Sequence, residues 1–477
     1  MKKLLPLFML VFSTNMTQAQ PSDTYIVSVM QSQHIPGLEI AIVKDNKLAW
    51  ERNFGFADLP NNIHTNINNM FMLASVSKTV TATALMKLWE QGMFNLDDNI
   101  ENYLPFPVRN PNYPADSITF RMLLAHTSSI YDSISWNDYY NGDSPITLDS
   151  IMRNYFTPGG FYYSAGNFYN FAPGNKYRYS NMGASLIGYL VQRISNMPFN
   201  QYCQTHIFDS LCMDHTEWKL ADIADTTVIA RPYSWNGSGY DDNGLYGYPE
   251  YPCGELRTTT LSLSRYMYMY LNHGIYDGVR TLNAATVDTM MAQQTFPNAT
   301  FATNHNGQGL IFYQYYMNNG DTLYGHNGGD WGVSTDMYFS YTNNIGIILL
   351  GNGYDFSNLS VDTLLDTLYN YALTMVVPIT DTFPTCNMVN GITDTKEQDD
   401  VSVYPNPAAT DITINISNLR FINYDLRITN IIGEEVYHLN TNFSTLTTID
   451  ISKWSRGVYF YQIKGEKETL NGKFVKE

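Results

Sequence analysis

Residues 376–400 read VVPITDTFPTCNMVNGITDTKEQDD, a polar run with two prolines and no hydrophobic period. A segment of this kind has no face to bury, so it joins two folding units rather than crossing one core. The residues before it mix two periods. LEIAIVKDNKLAWERNFGFAD (38–58) is a pair of β-rich runs around Asp45-Asn46, a turn-forming dipeptide, and predicts a hairpin. Residues 76–91 follow a helical apolar rhythm that stops at Gly92, a residue suited to the C-terminal cap. A second helix is predicted over 182–195, and strands over 334–340 and 345–350. The body is therefore α/β or α+β. Residues 401–477 have another texture: DITINIS, YDLRITNI, EVYHLN, TTIDIS and GVYFYQIKG are short alternating runs separated by Asn, Gly, Ser and Asp, the pattern of a small all-β sandwich. The expected organisation is a removable leader at 1–19, a body at 20–378, a linker at 379–400 and the sandwich at 401–477.

The leader is read from MKKLLPLFMLVFSTNMTQAQPSD: two lysines, an apolar stretch at 4–12 and a small-residue exit at 17–19 describe a secretory signal peptide. Nine apolar residues cannot cross a hydrocarbon core that needs about 20. Export without a transmembrane segment after signal removal is the expectation. No cysteine stands after the apolar run, which argues against a lipid anchor. A net charge of −17 and a pI near 4.8 exclude nucleic acid as a partner, because phosphate binding needs clustered Lys and Arg. The acidity belongs to the first part, since the sandwich carries eight basic and eight acidic residues. Export permits disulfides among Cys203, Cys212, Cys253 and Cys386. Three full pairings exist for four cysteines and nothing in the sequence chooses among them; on proximity alone Cys203 with Cys212 is the first candidate, and otherwise each cysteine is a small buried thiol. Their spacings do not suggest zinc and none of the nine histidines forms an HExxH pair, so no metal is expected.

The chemistry is sought first in FMLASVSKTVTATALMKLWEQG (71–92). Ser75 and Lys78 stand three apart and share a helix face, so a hydroxyl and an amine can touch. Serine is a poor nucleophile until a base takes its proton, and a lysine kept partly neutral by burial can be that base. An arbitrary Ser-x-x-Lys is more often an N-cap with a solvated lysine. Here Ser75 is the only serine three places before a lysine, and the flanks are apolar where a solvated helix carries charge. In APGNKYRYSNMGASLIGYL (172–190), Tyr179 and Asn181 stand in a loop just before a helix, where a phenol can relay a proton and an amide can hold a substrate amide. In YGHNGGDWGVSTDMYFS (324–340), His326 with Gly328 and Gly329 precedes a predicted strand, and the glycines allow close passage of a substrate backbone. A second His-Asn-Gly at 305–307 lacks so clear a strand after it, so His326 is preferred. The aromatic stretch at 131–171 is placed either to roof a pocket or to pack.

SVSK, YSN and HNG in this order, with MFNLDDNIENYLP (93–105) and ITFRMLLAHTSSI (118–130), resemble the penicillin-recognising serine hydrolases: class C β-lactamases, D-alanyl-D-alanine carboxypeptidases, D-aminopeptidases and related esterases. The resemblance covers about residues 30–353. It implies a β-lactamase/transpeptidase-like α/β (α+β) domain, an antiparallel sheet flanked by helices beside a helical subdomain. It further implies Ser75 as the acylated nucleophile, Lys78 and Tyr179 as the proton-transfer pair, and no cofactor. Asn181, His326, Gly328 and Gly329 become substrate-binding positions, with the Ser75 and Gly329 N–H groups forming the oxyanion hole. Two departures stand out. His326 occupies a position where many β-lactamases carry lysine, a weaker anchor for a substrate carboxylate. Ser129 stands where relatives usually carry glycine, which questions the local backbone. Class A signatures such as SDN are not evident. The implied activity is cleavage of an amide or ester in a peptide or small molecule, of peptidase (D-amino-acid peptide) or esterase type. The alternatives are a class C-like β-lactamase and a catalytically silent binder of cell-wall fragments. The sandwich at 401–477, with YPNPA, NIIGEEV, RGVYFYQI and GKFVK, resembles the C-terminal sorting domain of the Bacteroidetes type IX secretion system. It implies that machinery as a partner and delivery to the outer-membrane surface or beyond.

Overall fold

The computed structural model describes residues 20–133, 139–295, 307–354, 362–377, 383, 401–404, 408–416, 424–431, 433–441, 446–464 and 469–476. The expected leader lies outside these residues, as does the expected linker apart from Phe383, together with residues 305 and 306 of the second His-Asn-Gly. The chain divides into two compact units at residues 387 and 388.

The first unit is built on an eight-stranded sheet. From edge to edge its strands are Gly307–Gln308, Tyr313–Tyr316, Thr322–Asp330, Val333–Ser340, Ile345–Gly351, Gly37–Lys44, Lys47–Asp58 and Ile63–His64. Every neighbouring pair is antiparallel. The predicted hairpin is present: Asp45 and Asn46 both take left-handed φ (50° and 62°), the geometry that a two-residue turn matched to strand twist demands. Side chains alternate across the central strands. Ile40, Ile42, Ile347 and Leu349 join one core, shared with Ile26, Val29, Leu364 and Leu368 from the helices Asp23–Ser32 and Asp362–Thr374. Ala41, Val43, Ile348 and Leu350 join the other, shared with Met267 and Tyr270 of the helix Thr260–Leu271. A sheet covered on both faces accounts for the continuous apolar runs that strict alternation of polar and apolar residues would not give.

The second core continues into a helical part that contains Ser77–Glu90, Phe120–Leu124, Leu148–Phe156 and Asn181–Ser195. Residues 77–86 are buried on every side, so Ser77–Glu90 is a core helix rather than a surface one. The helix predicted over 182–195 starts one residue earlier and ends on Asn196, whose φ of 55° makes it a left-handed cap.

Cysteine pairing corrects the expectation. Cys203 and Cys253 are free, buried thiols, whereas Cys212 is disulfide-bonded, to a partner outside the described residues. The reason is local: 199–211 is continuously helical through a π turn, so nine residues of helix hold Cys203 and Cys212 about 13 Å apart, beyond the span of a disulfide.

The second unit holds a three-stranded sheet, Val401–Tyr404, Asp411–Ile416 and Leu446–Asp450, and a four-stranded one, Glu435–Thr441, Tyr424–Asn430, Gly457–Lys464 and Thr469–Lys476. Both are antiparallel. Ile412, Ile414 and Ile449 of the first sheet share a core with Leu426, Ile428, Tyr461, Ile463 and Phe474 of the second. No helix among the described residues is long and apolar enough to cross a membrane.

Candidate active site

Ser75 lies in a 3₁₀ turn, Ala74–Val76, that feeds directly into the core helix Ser77–Glu90. Ala74 takes φ 46°, a left-handed conformation costly for a residue with a Cβ, and the surroundings hold it there. The Leu73 N–H donates to the Leu256 carbonyl at 2.8 Å, and the Thr335 hydroxyl donates to the Leu73 carbonyl at 2.7 Å. Strand Thr322–Asp330 presses on the turn at Gly328, where a Cβ would stand 2.4 Å from Thr335 Oγ1 and 2.5 Å from the Leu73 oxygen. Only glycine lets strand and turn approach so closely.

One turn along, Lys78 is 1% exposed. Its Nζ donates to Ser75 Oγ at 2.9 Å and to the Cys253 carbonyl at 2.6 Å, and lies 5.0 Å from the Tyr179 ring centroid. The Tyr179 hydroxyl donates to the same Ser75 Oγ at 2.8 Å. Burial lowers the Lys78 pKa, and the pull of Cys253, Asp132 and Asp330 only partly offsets it. The same burial pushes the Tyr179 phenol well above its ordinary range, with the Ser75 hydrogen bond opposing. An amine biased toward neutrality and a phenol held protonated therefore meet on one hydroxyl.

Asp132 holds Tyr179 and Asn181 in register. Its Oδ1 accepts from the Ser180 hydroxyl at 2.7 Å and the Met182 N–H at 3.0 Å, and its Oδ2 accepts from the Asn181 N–H at 2.7 Å. Ser180 Oγ in turn accepts from the Gly183 N–H at 2.9 Å, so the helix Asn181–Ser195 begins on a hydroxyl and a carboxylate, both suited to its positive end. The His126 ring flanks the Tyr179 ring with centroids 4.5 Å apart, and burial, then Lys78, takes His126 down to about 3, so it is neutral. The backbone question at Ser129 is answered by its φ of 63°, where glycine fits without cost. The serine adopts it while Asn110 Nδ2 donates to its Oγ at 2.9 Å.

A small, open cavity lies over Ser75, lined also by Tyr139, Asn181, Tyr248, Glu250, Cys253, Gly254, Gly329 and Asp330. Of the seven positions singled out in the sequence, Ser75, Asn181 and Gly329 stand on this wall. Lys78 and Tyr179 reach Ser75 from the protein side. His326 and Gly328 stand behind the wall: His326 is 1% exposed, stacks on Tyr313 at 4.1 Å and lies 6.0 Å from the Tyr179 ring. Tyr139 makes the aromatic stretch part of the lining. Sequence reasoning passed over Asp132, Tyr248, Glu250 and Asp330. Asp330 carried a signal, since it comes directly after HNGG. Among the described residues, no group of three or more His, Cys, Asp or Glu side chains is placed to hold a metal ion.

Known proteins resemble the chain in sequence and in fold. Protein flp of Staphylococcus aureus is 26% identical over 344 residues, which are 71% of this chain and 64% of that protein. The chain thus matches somewhat less than two thirds of that relative's length. Among solved structures, the D-amino acid amidase from Ochrobactrum anthropi aligns with a TM-score of 0.59 at 19% identity, over 74% of this chain and 94% of that one. The Beta-Lactamase/D-Alanine Carboxypeptidase from Pseudomonas syringae aligns with a TM-score of 0.58 at 22% identity, over 74% and 98%. At such identities the solved structures speak for the fold alone. The Beta-lactamase family profile matches residues 23–369 and the profile of the secretion system C-terminal sorting domain matches 402–477, so the chain belongs to the Beta-lactamase family and carries a sorting domain.

Proposed function

We propose that the protein is an exported serine hydrolase that cleaves an amide or ester through an acyl-enzyme on Ser75. One observation carries the reading: a single hydroxyl oxygen receives both a buried amine and a buried phenol, at 2.9 and 2.8 Å, on the wall of a cavity. Neutral Lys78 takes the Ser75 proton as Oγ attacks the substrate carbonyl carbon. The Ser75 and Gly329 N–H groups receive the oxyanion. As the tetrahedral intermediate collapses, Tyr179 gives its proton to the leaving nitrogen or oxygen and regains one from the Lys78 ammonium. Water then attacks the ester carbonyl, losing its proton to the same pair, and the carboxylic acid leaves with Ser75 restored. Asn181 offers its amide to a substrate amide. The burial that lowers Lys78 and raises Tyr179 favours these protonation states.

The substrate is a D-amino-acid peptide or a small acyl ester. Among the described residues, no lysine, arginine or histidine lines the cavity, so they offer little to the carboxylate that a penicillin nucleus carries. The class C-like β-lactamase reading is therefore the weaker one. A silent binder has no use for a buried amine beside a serine, whose desolvation costs several kcal/mol. Export by type IX secretion machinery through residues 401–477 accords with the sorting-domain match.

The test is a rate screen against nitrocefin, a D-Ala-D-Ala peptide, a D-aminoacyl anilide and a short-chain nitrophenyl ester, with Ser75→Ala alongside. Turnover of the anilide or the ester is expected, lowered by about 10³-fold or more in the variant. Equal turnover by Ser75→Ala removes the reading.

A further inference from the structure

Among the described residues, the cavity wall bears charge of one sign. Its charged lining residues are Glu250 and Asp330. Asp330 is 5% exposed and fixed: its Oδ1 accepts from the Tyr139 hydroxyl at 2.6 Å and from the Trp331 N–H at 2.8 Å, and its Oδ2 from the Tyr248 hydroxyl at 3.2 Å. A carboxylate so held meets a ligand without reorganising. Aromatic faces surround it. The Tyr139 ring stacks on Trp331 at 4.4 Å and stands edge-on to Tyr248 at 5.2 Å. Carboxylates beside tyrosine and tryptophan faces are the chemistry that recognises an alkylammonium, through charge-assisted hydrogen bonds and the negative face of the ring. The position is equally informative. Asp330 is next to Gly329 on one strand, and both share the cavity with Ser75, so a cation at Asp330 sits close to the carbonyl under attack.

We propose that Asp330, with Glu250 and the rings of Tyr139 and Tyr248, forms a subsite for a protonated amine on the acyl part of the substrate. The preferred substrates are then free-amine aminoacyl amides or esters, and N-acylated or carboxylate-bearing compounds are disfavoured. The inference rests on Ser75 being the nucleophile. The other charged or titratable groups facing Asp330 are Lys78 from the core helix and Tyr246; Cys253 and Glu255 act on Tyr248 instead. Glu255 is itself buried beside Arg257, at 3.8 Å. Burial raises the Asp330 carboxyl, opposed by its three donors and by Lys78, and a bound ammonium adds to that opposition.

The test compares D-alanyl p-nitroanilide with its D-lactoyl counterpart, in which a hydroxyl replaces the ammonium, and uses p-nitrophenyl acetate as a neutral reporter. Rates are normalised to Ser75 sites titrated with a fluorophosphonate. The aminoacyl compound is expected to be faster in kcat/KM by about 10-fold or more, an advantage that fades as pH rises through the substrate amine's own pKa, near 8. Asp330→Asn and Glu250→Gln are each expected to shrink the ratio by about 5-fold, chiefly through KM. A ratio at or below one in the unmodified protein, or losses equal across all substrates in both variants, overturns the subsite. If p-nitrophenyl acetate is still hydrolysed in that case, the hydrolase reading survives. If Ser75 is not labelled and nothing is turned over, both fall.

Discussion

Lys78 is placed where a permanent charge is expensive, and the arrangement is useful only if the amine spends part of its time neutral. Because burial lowers its pKa, the acid limb of kcat/KM is expected at a pH below the ordinary lysine range: deprotonation switches the base on, and it occurs earlier here. Lys78→Arg, which keeps the charge and cannot deprotonate, is expected to lose about 10³-fold or more; comparable rates would show that the amine is not the base. Gly328→Ala tests the support behind Ser75. Its methyl would enter space 2.4 Å from Thr335 Oγ1 and 2.5 Å from the Leu73 oxygen, so the turn must shift and kcat is expected to fall by about 10–100-fold. The Ser75–Lys78 pair was legible in the sequence because a helix brings residues three apart together. Asp132 and Asp330 were not. The first acts on Ser180 across 48 residues and the second on Tyr139 across 191, and no local period reports such contacts.

The elements themselves were legible wherever a period or a turn signal was strong. The hairpin was readable from Asp45-Asn46, the core helix from its apolar rhythm and Gly92, and both late strands from their runs. The pairing of Gly37–Lys44 with Ile345–Gly351 was not, since it joins strands some 300 residues apart and depends on tertiary packing alone. That pairing buries Glu39 completely, with the Thr260 hydroxyl donating to its carboxyl group. Burial raises the Glu39 pKa well above 4.5, with Thr260 opposing and Glu51 adding. The folded value exceeds the unfolded one, so the contribution to stability is complete below about 4.5 and is lost as pH rises through the raised folded value. Thermal melts from acid to mildly alkaline pH should therefore decline less in Glu39→Gln than in the unmodified protein. Asp132, Asp330 and Glu255, also raised by burial, keep some decline in both. Identical slopes would mean that Glu39 is not proton-linked to folding.

At the scale of the whole molecule, the chain divides at residues 387 and 388, within the polar run at 376–400, into two units that each have their own core. The cysteines were misjudged because proximity in sequence says nothing about distance when helix intervenes. Alkylation and then peptide mapping checks the corrected assignment. Without reductant, Cys203 and Cys253 should react only after denaturation, and Cys212 should react only once reduced; labelling of Cys212 in the unreduced protein would contradict it. The direct test of the account is intact-mass analysis of the purified chain with a fluorophosphonate, whose fluoride is displaced by an activated serine oxygen. One adduct per chain is predicted, mapping to Ser75, forming faster as pH rises toward the lowered Lys78 value, and absent in Ser75→Ala. A protein that stays unlabelled while a control hydrolase reacts, or an adduct that persists in Ser75→Ala, would contradict the claim that Ser75, Lys78 and Tyr179 act as one nucleophilic unit.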